Sequence, residues 1–402
     1  MHKLILLLAA TSAGADPLLF AGSGGCDASD LGCTDQTSEL WTFSATPAAG
    51  GGSLAPAAFA PLEKLYLGGG QPSWTKVAGK CLFVTITNSH QVISFRVLSN
   101  YSIAQKSNIS LAPALNPVFI DTLADWLLVA NYHGPDTTTV EAGAGMSVLK
   151  VEPDCSLTLK PEHYVPCPRP GAPSRSVDPG RQGASHIHSV NALPGSTTRV
   201  FACDLGTDTI TTFDVDPKTG KTTETASLLT TPGSGPRHMA FHPSARKAYV
   251  IFEMGNFVAV YDIADADGAL TETQRVTTLP GRSEFSGYSK AAEILITPDG
   301  RQLLASNRGY GADSGSIVVY RLSEKGDIDG LPVSTQVGDQ YPRGISLMPA
   351  ASDSKDTAVV LVAGQSGSRL SAFSVEANGS LISTGLNFAG PAHPTTVSFA
   401  IV

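Results

Sequence analysis

Three observations predict an all-β fold, a seven-bladed β-propeller whose C-terminal strand closes the first blade. An apolar pair at i and i+2, followed by a polar turn, recurs seven times along the 402 residues. Forty Gly and 27 Pro punctuate the chain too often for long helices. The segment from Pro394 to Val402 alternates like a single strand with no partner after it, while the first unit, at Leu18–Gly22, lacks a leading strand.

The pairs are Trp41/Phe43, Phe95/Val97, Leu149/Val151, Phe213/Val215, Tyr261/Ile263, Tyr320/Leu322 and Phe373/Val375. Their first residues are 54, 54, 64, 48, 59 and 53 apart. Turns such as Asp216–Gly220, Asp265–Gly268 and Asn378–Gly379 follow, so each pair belongs to a β-hairpin. Each unit also begins with its own strand pair, visible at Val200–Asp204, Tyr249–Glu253, Leu303–Asn307 and Val360–Gln365. Four short strands at a period near fifty residues make a blade, and blades bury both faces only by packing radially. Length alone suggests two or three domains; the repeat predicts one closed domain over residues 16–402. The 64-residue interval holds a Pro/Gly/Arg-rich insertion, Pro166–Gly183, expected at the surface as a candidate lid.

Residues 1–15 read as a secretory signal peptide: a basic Met1–Lys3, an apolar Leu4–Ala10, and small residues at Ala13–Ala15. Sequons at Asn100, Asn108 and Asn378 predict glycosylation and secretion from a eukaryotic cell. Six cysteines fit an oxidising compartment. Proximity suggests Cys26–Cys33 and Cys155–Cys167 disulfides, with Cys81 and Cys203 as buried thiols. The net charge of −8 speaks against a nucleic-acid partner, and the one apolar run is too short to span a bilayer. No CxxC pair exists, and His186 with His188 lacks a third ligand fixed by spacing, so neither metal nor cofactor is expected.

Inner propeller strands line a central channel, and a ligand belongs at its mouth. His188, His238, Glu293, Arg343 and His393 precede the inner strands at spacings of 50, 55, 50 and 50. Five repeats thus place an ionisable or charged side chain at one register, reinforced by His186, Arg237 and Lys290. Asn88, Asn131, Asp204, Glu253, Asn307 with Arg308, and Gln365 form a second ring at the ends of the next strands. Arginine forks hold carboxylates and oxyanions, while His or Glu moves a proton.

His186–Val190, Asp204–Gly206, Gly235–Pro243, Tyr249–Glu253, Ala291–Ile294, Thr297–Gly300 and Ser306–Gly309 resemble motifs of the seven-bladed lactonase family. That family includes propeller-type 6-phosphogluconolactonases and fungal carboxymuconate-lactonising enzymes. The resemblance runs from about residue 18 to the C-terminus and is densest from 186 to 345. It implies a catalytic set of His188, Arg237, Glu253 and Arg308. His186, His238, Glu293, Arg343, Asp204 and Asn307 then become candidate substrate-binding residues.

The expectation is a secreted, cofactor-independent enzyme that opens or forms a lactone, its partner being a small molecule, anionic or a lactone. His188 or Glu253 would be the acid or base, and the arginines would bind the anion. The alternatives are a cyclase of fungal secondary metabolism on the same scaffold, or a non-catalytic secreted propeller that binds a partner or glycan. Trp74 and Trp126 stand isolated in the sequence, and Phe285 with Tyr288 makes the best aromatic loop, which offers little for a protein-binding face.

Overall fold

The computed structural model describes residues 17–23, 37–46, 58–132, 144–167, 178–281, 289–309, 315–338, 341–348, 358–389 and 393–401. Residues 1–15, expected as a signal peptide, and Cys26, Cys33, Phe285 and Tyr288 lie outside them. Seven antiparallel sheets follow one another around a ring. In the fifth blade, for example, the strands run outward in order as Pro236–Phe241, Lys247–Phe252, Phe257–Ile263 and Leu270–Thr277. In the first blade Pro394–Ile401 is innermost and pairs with Pro17–Ser23. The two ends of the chain therefore complete one sheet, as the sequence predicts.

Ring closure is also polar. Thr75 and Thr396 meet through their hydroxyls at 3.0 Å, and the Thr395 hydroxyl donates to the Pro72 carbonyl. There is no single core. Seven apolar wedges each lie between two neighbouring blades, such as Phe201, Cys203 and Ile210 against Met239, Phe252 and Tyr261. The alternation of apolar residues along each strand supplies both faces.

One backbone device recurs in every blade. Where the inner strand starts, it carries a β-bulge against its neighbour, as between Ile187 and Ser189 opposite Cys203 and Asp204. Five of these bulges follow a proline: Pro72, Pro117, Pro236, Pro342 and Pro394. Proline suits a strand's first residue because it has no N–H to pair. A bulge adds one residue and re-aims its side chain. The bulged residues are Ser73, Val118, His188, Arg237, Arg343 and Thr395, with Ala292 and Glu293 together in the sixth blade.

The cysteines depart from expectation. Cys81 bonds to Cys155 across 74 residues, with a Cα–Cα distance of 5.4 Å, and Cys203 is a buried thiol. Cys155 therefore does not pair with Cys167, and Cys81 is no thiol. Cys81 opens the second strand of the second blade and Cys155 sits in a turn of the third, at φ 74°. Radial packing brings neighbouring blades together, so proximity along the chain misjudges the pair.

Candidate active site

The bulges separate what the spacing had placed in one ring. His188, Arg237 and Arg343 occupy the bulge itself. His238 stands one position further in, alongside Ser189, Gly344, Trp74 and Phe119, while Glu293 shares the wider bulge of the sixth blade with Ala292. His393 precedes its strand, and its backbone N–H donates to the Ser368 hydroxyl. The second ring splits likewise. Asp204 and Asn307 end their strands, whereas Glu253, Arg308 and Gln365 lie one residue beyond. Asn88 is exposed.

Glu253 is the hub. Its Oε2 accepts from Arg237 Nε at 3.1 Å and from Arg308 Nη2 at 2.7 Å, and its Oε1 accepts from Arg181 Nη2 at 2.5 Å. It is wholly buried. Burial pushes its carboxyl up, but Arg181, Arg308 and Arg237 outweigh that and hold it far below the carboxylate range. Arg237 is fixed further by donating to the Ala292 carbonyl at 2.5 Å. Arg343 lies close enough to act on His188, His238 and Glu293 by its charge.

His188 Nδ1 lies 3.1 Å from His238 Nε2, and His238 Nδ1 lies 2.9 and 3.0 Å from the two oxygens of Glu293. Burial, then Arg237, keeps both imidazoles well below their ordinary pKa, hence neutral. Burial pushes the Glu293 carboxyl the other way, well above the usual range. Trp74 and Phe119 pack on each other at 4.4 Å and against His238 at 5.1 and 4.9 Å, making a dry floor. Trp74 is thus part of the inner ring. Trp126 packs edge-on to His163 and is buried in the wedge between the third and fourth blades.

Other candidates serve the backbone. Asp204 accepts from the N–H groups of His186, Gly206 and Thr207 and from the Ser185 hydroxyl. Gly206 is required there, since a Cβ would stand 1.8 Å from the Ala184 carbonyl oxygen. Asn307 donates to the Thr278 carbonyl at 2.7 Å. His186 stacks face to face on Tyr132 at 4.4 Å. Among the described residues no group of three His, Cys, Asp or Glu could hold a metal ion, and no helix is long and apolar enough to cross a membrane.

Three site residues escaped the sequence reading. Arg181 comes from the one-turn helix Pro179–Gln182 inside the predicted insertion, which Asp178 ties to Lys290 at 3.1 Å. Tyr132 lies edge-on to His188 at 5.6 Å, and burial pushes its phenol up to about 12. The Tyr341 hydroxyl accepts from Arg308 Nη1 at 3.4 Å. A Pro at the start of a helical turn was the only signal for Arg181; the tyrosines gave none.

The chain matches the family described as lactonase, 7-bladed beta-propeller, over residues 56–399. A Lactococcus lactis protein is 31% identical over 211 residues, 52% of this chain and 54% of that one. A Bacillus subtilis 6-phosphogluconolactonase is 32% identical over 207 residues, 52% of either chain. The chain thus spans about half the length of these curated relatives. The structure of a Pseudomonas aeruginosa periplasmic gluconolactonase superposes with TM-score 0.72 at 23% identity, covering 96% of this chain and 100% of that one, a likeness of fold.

Proposed function

The chain belongs to the lactonase family of seven-bladed β-propellers, and from that premise we propose that it hydrolyses a lactone at the mouth lined by blades four to seven. One observation carries the reading. Arg181, Arg237 and Arg308, from three separate segments, converge on Glu253 beside a buried neutral His188. With Arg343 there are four guanidinium groups against the two carboxyls of Glu253 and Glu293. The surplus of positive charge favours an anionic substituent and the oxyanion that develops as water adds to the carbonyl.

His188 is the general base, because a neutral imidazole can take a proton from water. Glu253, whose oxygens are taken up by three guanidinium groups, instead orients the arginines. The likeness to a 6-phosphogluconolactonase supports hydrolysis over cyclisation, and the polar funnel supports a small-molecule site over a partner-binding face.

The substrate class is a small anionic or polyhydroxylated lactone. We place the protein outside the cytoplasm, with residues 1–15 removed as a signal peptide, so a phosphorylated sugar lactone is disfavoured. The Cys81–Cys155 disulfide supports this placement. Asn100, Asn108 and Asn378 are exposed, as glycan acceptors must be. A pH-indicator screen of the purified chain against simple lactones, with Arg237→Ala as control, tests the proposal. Acid release that the variant loses is expected; release that the variant retains overturns the site.

A further inference from the structure

We propose that His238 and Glu293 form a proton relay behind His188, so that the base at the mouth is one end of a three-residue chain running into the dry floor of the channel. This rests on the hydrolytic reading for its chemistry, though not for its geometry. The links are 3.1 Å from His188 Nδ1 to His238 Nε2 and 2.9 Å from His238 Nδ1 to Glu293 Oε1. All three side chains are buried. Trp74 and Phe119 cover the His238 ring, so water does not compete for the middle of the chain. Glu293 is anchored by accepting from the Ile294 N–H at 3.1 Å, and it also lines a channel cavity of about 500 Å³ on the far side of the floor.

Counting protons leaves two arrangements, and Arg237 Nη1, which lies 3.1 Å from His238 Nδ1 and can only donate, favours the second in the substrate-free protein. In one, Glu293 is ionised, His238 donates to it through Nδ1, and His188 donates to His238 through its own Nδ1. The His188 Nε2 then carries a lone pair and acts as a base. In the other, protonated Glu293 donates to His238 Nδ1, His238 Nε2 donates to His188 Nδ1, and His188 Nε2 holds a proton and acts as an acid. The second state holds one proton more than the first.

In the forward step water loses a proton to His188 Nε2 while its oxygen bonds to the lactone carbonyl carbon. The carbonyl π pair moves onto oxygen. The proton already on His188 Nδ1 shifts to His238, and that on His238 Nδ1 shifts to Glu293. When the carbonyl re-forms and the ring C–O bond breaks, the leaving oxygen takes the proton back along the same path. The product acid then ionises to carboxylate, releasing one proton.

The charges around the chain favour Glu293 as the terminus. His188 and His238 face Arg237, Arg308 and Arg343, and Arg181 also faces His188, so an imidazolium at either ring is costly. Tyr132 packs on His188 from the third blade, and burial keeps it protonated. Glu253 is saturated by its arginines and does not compete for the proton. Burial raises the Glu293 carboxyl, which makes it a competent acceptor. Base strength at the mouth is therefore set by Glu293, two residues removed from the substrate. His238 and Glu293 are positioning residues in this scheme; only His188 touches the reacting water.

The test is an NMR titration of the substrate-free full chain with ¹⁵N-labelled histidine, in wild type, Glu293→Gln and Glu293→Asp. His188→Gln and His238→Gln assign the signals. His188 Nε2 is expected to pass from protonated to unprotonated with rising pH, without His188 becoming imidazolium. The midpoint should lie above the ordinary carboxylate value of 4.5. Glu293→Gln should abolish the transition and Glu293→Asp retain it with a moved midpoint. A His188 that becomes imidazolium, or whose transition survives Glu293→Gln, overturns the relay. On a lactone that the wild type hydrolyses, Glu293→Gln should lower kcat at least about tenfold, within the usual contribution of acid–base catalysis. It should leave KM nearly unchanged and remove the rising limb of the pH profile, and Glu293→Asp should restore part of both. An unchanged pH profile in Glu293→Gln also overturns the relay. If no lactone is hydrolysed by the wild type, the hydrolytic reading fails, while the titration still decides the relay on its own.

Discussion

The two halves of the ring carry the same backbone bulge and use it differently. In blades one to three the bulged residues are Thr395, Ser73 and Val118; in blades four, five and seven they are His188, Arg237 and Arg343. In the first group the hydroxyls tie blade to blade. Ser73 Oγ donates to the Pro117 carbonyl at 2.8 Å, and Thr395 Oγ1 donates to the Pro72 carbonyl. In the second group the same position points ionisable side chains at one another around Glu253 and Glu293. The bulge is thus part of the fold, and the charges placed on it are not needed by the fold. A ring that needed charge for closure would show it in all seven blades.

The largest expected effect sharpens this contrast. Glu253→Gln leaves Arg181, Arg237 and Arg308 facing one another without their carboxylate, and breaking a buried ion pair costs about 3–5 kcal/mol. Urea unfolding should register the loss. Its pH dependence identifies the cause. The folded pKa of Glu253 lies below its ordinary 4.5, so its contribution is present above pH 4.5 and is lost as pH falls through the folded value. Glu293 has the opposite sign, because its folded pKa is raised. It favours the folded state below pH 4.5 and disfavours it as pH rises toward the folded value. Glu253→Gln should therefore flatten the acid side of the stability curve, and Glu293→Gln the alkaline side. Equal curves for the two variants would remove the distinction between the glutamates.

Arg237→Ala is next. Removing one donor aimed at a developing oxyanion lowers kcat by about 10²–10³-fold. The β-sheet circular dichroism should stay unchanged, because the bulge in blades two and three stands without charge. Unfolding of Arg237→Ala would break the comparison, since the working half would then need its charges for folding. The quiet half has its own brace, the Cys81–Cys155 disulfide between blades two and three. Cys81→Ser should cost about 2–4 kcal/mol by the usual range for a disulfide. It should leave turnover of the folded enzyme intact, and peptide mapping under non-reducing conditions should recover that pair.

How much of this was legible follows from the same bulges. Period and alternation reveal strands and blades, and therefore ring closure by Pro394–Ile401, because burial between blades imposes them on the sequence. The neighbourhood of His188, Arg237, Glu253 and Arg308 was legible too, because it recurs blade by blade. The register within it was not. A bulge adds one residue to the inner strand without altering the hydrophobic pattern, so the spacing sets His188 level with His238 whereas the structure sets it level with Arg237. Arg181 lies in an insertion outside the repeat, where no period constrains it. Tyr132 and Tyr341 flank strands in loops of no fixed pattern. The disulfide was misjudged because separation along the chain says nothing about which blades touch.

Ser73→Ala has the smallest expected effect and bears most directly on the comparison. The Ser73 hydroxyl donates to Pro117, accepts from Thr87 at 2.7 Å and lies 3.0 Å from the Thr85 hydroxyl. Losing it leaves the Pro117 carbonyl with its second donor, Thr87 Oγ1, at 3.0 Å. The acceptor is then still satisfied, so the cost should be near that of one neutral hydrogen bond, about 1 kcal/mol. Turnover should not change, because Ser73 is related to Arg237 by ring position and not by contact. A fall in kcat with little loss of stability would mean that the quiet half also positions the substrate, and the division between closure and chemistry would have to move around the ring to include the second blade.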